Sequence, residues 1–259
     1  MIAGFPQRPV YDLSQPYFVG MPHHPSHPPF LFSLTKKHGD FVDPSGMSSA
    51  ADSLSMSGHT GTHIDALNHF SCNGRWFNGH QVTESQSWTE GIPTYSAAAI
   101  APILRRGVLL DIARLQHLDF LPRDFVIAPE HLQSAATAAR IEIHAGDVVL
   151  FRTGWARFWR NSREYISEVH GPGPALAGAQ WLSGHGIFAA GSDTVAFEHV
   201  PDPAMPVHVH MLVERGIHLI ENLNLEQLAA ESVNEFLFIA APLRIEGGTG
   251  APVRPLAIV

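Results

Sequence analysis

One cysteine, Cys72, stands in 259 residues. A lone thiol builds neither an internal disulfide nor a Cys-rich zinc site. No run of about 18 apolar residues occurs, so no membrane-spanning helix is expected. Basic residues are few: 16 Lys and Arg against 24 Asp and Glu give a formal charge of −8 with His neutral. That balance argues against a nucleic-acid binder, whose footprint is a basic patch. Low-complexity tracts, charge runs and internal repeats are missing. No long polar linker divides the chain, so a single domain over residues 1–259 is expected. The stretch Met1 to Tyr11 has no basic segment leading into an apolar core, and a cytoplasmic location is the expectation.

Histidine is the residue in excess, with 17 copies. His23, His24, His27 and His38 sit in or beside a Pro-rich stretch and read as loop residues. Abundance alone does not make a metal site; spacing does.

Along the chain, Val10 to Leu13, Phe30 to Leu34 and Ser53 to Ser57 read as short strands among prolines. From residue 107 the pattern sharpens. Gly107 to Asp111 and Asp147 to Arg152 are short apolar runs typical of buried strands. Glu130 to Arg140 follows Pro129 and reads as helix, as does Ala175 to Gly184. Ile187 to Ala190 and Ile217 to Ile220 read as strands, residues 209 to 215 as helix ending at Gly216. Leu225 to Ala230 is a short helix, Phe236 to Ala240 a strand. Strands alternating with helices indicate an α/β domain.

The chemistry concentrates in Ser57-Gly58-His59-Thr60-Gly61-Thr62-His63-Ile64-Asp65-Ala66-Leu67-Asn68-His69-Phe70. His59, His63 and Asp65 share parity, so an extended backbone would turn all three to one face. Gly61, on that face, would leave room for an ion or a substrate. Two imidazoles and a carboxylate are a common ligand set for catalytic Zn²⁺ or Mn²⁺ with positions open to water. Downstream, Glu221 ends an apolar strand, where a carboxylate commonly faces the site of an α/β fold. His208 and His210 are both eligible partners, and His218 reads as structural or exposed. Phe18, Met21 and Phe77 are candidates to contact a flat aromatic substrate, with His210 beside them, although single aromatics usually belong to the core. Cys72 has no dedicated base in the sequence and reads as a bystander.

The run His59-Thr60-Gly61-Thr62-His63-Ile64-Asp65, followed by His69, resembles the signature H-x-G-T-H-x-D-x-x-x-H of the metal-dependent cyclase family. That family includes bacterial kynurenine formamidases and isatin hydrolases. Asp12-Leu13-Ser14, Gly20-Met21-Pro22, Gly191-Ser192-Asp193-Thr194, His208 to Leu223 and Gly247 to Arg254 are similar as well. The resemblance implies a swivelling β/β/α fold with a mixed sheet or barrel-like core, assembled as a homodimer or homotetramer. It implies that His59, His63 and Asp65 bind a divalent ion, Mn²⁺ or Zn²⁺, with one or two ions in all. It gives His69 the acid/base role. A downstream histidine, His208 ranked ahead of His210, would complete the site with Glu221 or hold a second ion. Leu67 stands where kynurenine formamidases often carry proline, and the chain is longer than theirs. Both features point away from kynurenine formamidase, and the longer form looks closer to isatin hydrolase and to uncharacterised relatives.

The expected activity is hydrolysis of an amide, lactam or related acyl bond in a small molecule. A bound ion lowers the pKa of water from about 15.7 toward about 7, and His69 would pass the proton to the leaving nitrogen. Two other readings compete. His63-x-Asp65 with a distant histidine is also the facial triad of non-haem Fe(II) oxygenases, but His59 as a further ligand would occupy a position that O₂ needs. A non-catalytic metal-binding module is the other; His69 and the downstream carboxylate argue against it.

Overall fold

The computed structural model describes residues 8–84 and 86–259. Most of the stretch Met1 to Tyr11 lies outside them. The strands in chain order are β1 (Val10–Asp12), β2 (Leu31–Lys36), β3 (Ala51–Ser55), β4 (His63–Asp65), β5 (Ile103–Asp111), β6 (Val126–Ile127) and β7 (Val148–Arg152). They continue with β8 (Gly173–Pro174), β9 (Ala189–Ser192), β10 (His218–Glu221), β11 (Glu235–Ala240), β12 (Gly250–Pro252) and β13 (Leu256–Ile258).

Nine of these form one curled sheet in the order β1-β13-β11-β5-β7-β9-β10-β4-β12, a mixed half-barrel. Its centre, β5-β7-β9-β10, is parallel. Parallel neighbours need crossover connections, and helices Pro129–Ala139 and Leu176–Gly184 lie in the first two of them. Antiparallel wings flank this centre on both sides. The central strands are buried on both faces, as their unbroken apolar runs require. Val108, Leu110, Val149, Phe151 and Leu219 pack under the helices. Their neighbours Leu109, Val148, Leu150 and Ile220 point the other way, into the curl, against Leu13, Ile64 and Phe238. The period of two along each strand divides the core in two.

Several boundaries differ from the sequence expectation. The strand expected over Ser53 to Ser57 runs Ala51–Ser55, paired with β2 in a separate ribbon. Extended structure around the histidine cluster is confined to His63–Asp65. Residues 59 to 62 instead turn, with Gly61 at φ +74°. The shared parity of His59 with His63 and Asp65 therefore does not arise from one strand. Nor does Gly61 leave space for an ion: a Cβ there would run into the Tyr17 ring.

Candidate functional site

Sheet register assembles the site. Glu221, the last residue of β10, is the cross-strand partner of His63 in β4. Asp65 lies two residues further along β4, on the same face as His63. The cluster thus sits where parallel β10 ends, the usual position of a site in an open α/β sheet. All three side chains are buried, Asp65 at 1% exposure.

His63 Nδ1–H donates to Gly61 O at 2.8 Å. Its Nε2 is left facing Asp65 Oδ1 at 3.4 Å and Glu221 Oε2 at 3.5 Å. His208 is arranged in the same way. Its Nδ1 meets Glu198 Oε1 at 2.5 Å, and its Nε2 faces Glu221 Oε1 at 3.3 Å and Asp65 Oδ2 at 3.8 Å. In both rings one nitrogen is committed to a fixed acceptor, which orients the other toward the carboxylates. His59 is different. Its Nδ1 pairs with Asp65 Oδ1 and its Nε2 with Thr249 Oγ1, each at 2.9 Å. His69 stacks on His59 with ring centroids 4.0 Å apart.

His208 belongs to the short helix Pro206–His208, which runs into a wide π turn over Val209–Glu214. That turn separates the two eligible histidines. His210 points away from the cluster, toward Ser183 Oγ at 2.8 Å and Glu214 Oε2 at 2.7 Å. His218 supports Asp65 from behind, its Nδ1 2.8 Å from the Asp65 carbonyl.

Electrostatics follow from this packing. Burial alone would lower the pKa of His208, but Glu198, Glu221 and Asp65 push it up to about 10. Burial opposes ionisation of Asp65 too, yet the surrounding imidazoles of His69, His59 and His63 hold its carboxyl well below the usual range. His69 goes the other way: burial, reinforced by His59, His208 and His63, lowers its pKa well below the usual histidine value.

These residues fit a divalent cation. Among the described residues Asp65 Oδ2 is buried without a hydrogen-bond partner, and a buried carboxylate oxygen with none is costly unless a charge meets it. One donor atom each from Asp65, His208 and Glu221 lie within 4.8 Å of one another, and so do atoms of His59, Asp65 and His69. Asp65 is common to both groups.

The cluster opens into a cleft of about 270 Å³. His24, Ser26 and His27, from the Pro-rich loop, also line it, and His27 stacks on His59. The expected substrate contacts are not there. Met21 is 2% exposed in a core with Trp155, Trp159 and Tyr165, and Phe18 packs against that core. Phe18 also lies under the Arg160 guanidinium. Phe77 stacks edge-on with Tyr95 and fills the space left by Gly216. These three and His210 are placed by packing demands elsewhere, and none borders the cleft. Glu198, 1% exposed, was not picked out in the sequence; a single glutamate between Phe197 and His199 carries no periodic signal.

Comparison with known proteins supplies the family. The model of the Cyclase family ("Putative cyclase") matches residues 11–199. The chain is 28% identical over 209 residues to the isatin hydrolase of Roseibium aggregatum, spanning 78% of this chain and 72% of that protein. It is 26% identical over 247 residues to the kynurenine formamidase of Bacillus thuringiensis subsp. konkukian, spanning 94% of each. A solved structure described as a novel cyclase superposes with a TM-score of 0.89 at 25% identity, over 98% of this chain and 87% of that one.

Proposed function

The chain belongs to the cyclase family, and from that premise we propose that it is a metal-dependent hydrolase of a C–N acyl bond in a small molecule, a cyclic amide or a formamide. Its relatives include an isatin hydrolase and kynurenine formamidases. The observation that carries the reading is Asp65: buried, flanked by imidazoles that lower its pKa, with Oδ2 accepting no hydrogen bond from the described residues.

His59, His63 and Asp65 are the proposed ligands of one divalent ion, Mn²⁺ or Zn²⁺. Asp65, His208 and Glu221 form a second set able to hold another. Such an ion supplies Lewis acidity and a nucleophile from water at neutral pH. The chain's own groups do the rest. His63 and His208 keep Nε2 aimed inward because Gly61 O and Glu198 hold their Nδ1 atoms. His69 borders the cleft, and its depressed pKa leaves it neutral at pH 7, able to take a proton and return it to the departing nitrogen. Phe197 N–H donates to Glu221 Oε1 at 2.7 Å and fixes that carboxylate. Assembly into a homodimer or homotetramer is part of the proposal; the exposed Phe32, Leu34 and Leu54 on the β2–β3 ribbon support it.

The test is metal removal. Protein stripped with a chelator should lose hydrolysis of isatin and N-formylkynurenine, and reloading with Mn²⁺ or Zn²⁺ should restore activity toward at least one. The reaction should run equally well without O₂. Full turnover in metal-free protein would end the hydrolase reading as stated, and a strict need for O₂ would favour the oxygenase.

A further inference from the structure

The cleft has two unlike halves. The first is the cluster of imidazoles and carboxylates. The cleft is also lined by Val169, Val195, Val200 and Met205, with Phe70 packed against His69 and His208, and among the described residues lining the cleft none is Lys or Arg. The backbone behind this apolar half is strained. Ser167, Glu168 and Val169 have φ of +47°, +60° and +58°, and Met205 has +43°. Left-handed backbone is unfavourable for residues with a Cβ, most of all for a β-branched one such as valine. Strain of this kind persists only where the surroundings over-determine it, and it concentrates at functional sites.

The surroundings do pin it. Ser167 N–H donates to Arg163 O at 2.9 Å and Val169 N–H to Ile166 O at 2.7 Å. Two residues on, Gly171 and Val200 exchange backbone hydrogen bonds of 3.1 and 3.2 Å. This bridge ties the Val169 turn to Val200. Met205, in turn, directly precedes the helix that carries His208. The apolar wall is therefore held in fixed relation to the charged half of the cleft.

We propose that Val169, backed by Val200 and Met205, is a specificity wall that restricts the enzyme to electrically neutral amides about one ring system in size. The proposal rests on the hydrolase reading above. A carboxylate or sulfonate turned toward this wall would lose its water and find neither Lys nor Arg there to pair with. A cavity of about 270 Å³ sits near the lower end of small-molecule pockets, so bulk on that side of the substrate is excluded as well.

Two matched pairs of near-equal size test this, each keeping the reacting group and changing mainly charge: isatin-5-sulfonamide against isatin-5-sulfonate, and 4-formamidobenzamide against 4-formamidobenzoate. Metal-loaded enzyme should favour the neutral member of any pair it hydrolyses by roughly a hundredfold in kcat/KM, the scale set by an unpaired charge. Val169→Gly, which suits left-handed backbone, should raise KM for the neutral member about tenfold, with the loss in KM rather than kcat. Val169→Lys should shift the preference toward the anionic member. Binding of benzamide and 4-carbamoylbenzoate, followed calorimetrically, gives a readout that does not need turnover, and the neutral ligand should bind more tightly. Equal kcat/KM within a pair, or equal binding of the two amides, would overturn the wall. If no pair is hydrolysed yet benzamide still binds preferentially in a Val169-dependent way, the hydrolase reading fails and the wall stands.

Discussion

Glu198 Oε1 lies 2.5 Å from His208 Nδ1, on the side of the imidazole opposite to Asp65 and Glu221. The same carboxylate accepts the backbone N–H of His208 at 2.9 Å, so it grips both the ring and the backbone of the residue that bears it. With Nδ1 held by this acceptor, Nε2 is the nitrogen turned to the carboxylates, where it would give up its proton to ligate a bound cation. Glu198→Gln should keep the shape and lose the charge, and metal affinity should fall about 10–100-fold. Titration against a competing chelator measures this. Wild-type affinity in the variant would show that Glu198 only fills space.

His69 separates acid/base chemistry from ligation. It stands with His59 and Asp65 as a geometrically possible ligand set, yet it borders the cleft and stacks on His59. His69→Ala should retain bound metal and lose turnover by about 10²–10⁴. Elemental analysis beside the kinetics decides the matter. Loss of metal in step with activity would make His69 a ligand.

What was readable in the sequence follows from the range of the forces involved. The buried runs of β5 and β7 announced themselves because strands covered on both faces must be apolar throughout. His63 and Asp65 could be paired because two residues of one strand share a face whatever the rest of the fold does. His59 reaches the same site by another route, a turn through Gly61 with the ring lying against Gly250, and parity carries no information about a turn. Glu198 and the His24 and His27 loop enter from segments far away in sequence, and their roles depend on sheet curl that no local pattern encodes. Phe18, Met21 and Phe77 illustrate the converse. Their apolar character was evident, but which interior they serve is decided by tertiary packing.

Gly250 makes a sharp test of the His59 placement. A Cβ there would come within 2.5 Å of His59 Cε1 and 2.9 Å of its Nδ1. The backbone of Gly250 is not left-handed and pairs with Asp65 in the sheet, so alanine is acceptable to the strand and objectionable only to the ring. Gly250→Ala should leave the far-UV spectrum unchanged while turnover drops about 10²-fold, the scale of a small displacement in a catalytic constellation. Unaltered kinetics would show that His59 can move without consequence.

Asp193 concerns stability rather than chemistry. It is fully buried and accepts Thr153 N–H at 2.8 Å, Thr153 Oγ–H at 2.6 Å and Gly154 N–H at 2.8 Å. These bonds join the loop after β9 to the end of β7, just below the segment that carries Phe197 and Glu198. Asp193→Asn puts an amide donor against donors and strands at least one of them. The expected cost is about 1–3 kcal/mol, seen as a lower urea midpoint with an unchanged slope. The pH dependence has a definite sign. Burial pushes the Asp193 carboxyl up to about 6 against the hydrogen bonds from Thr153. A folded pKa above the unfolded value near 3.8 means that this group's proton-linked stabilisation is full below about pH 4 and is lost as pH rises through about 6. Asparagine does not titrate, so the gap between wild type and variant should be wider at pH 5 than at pH 7. A gap that narrows on acidification would show that Asp193 is ionised throughout that range in the fold, its three donors outweighing its burial.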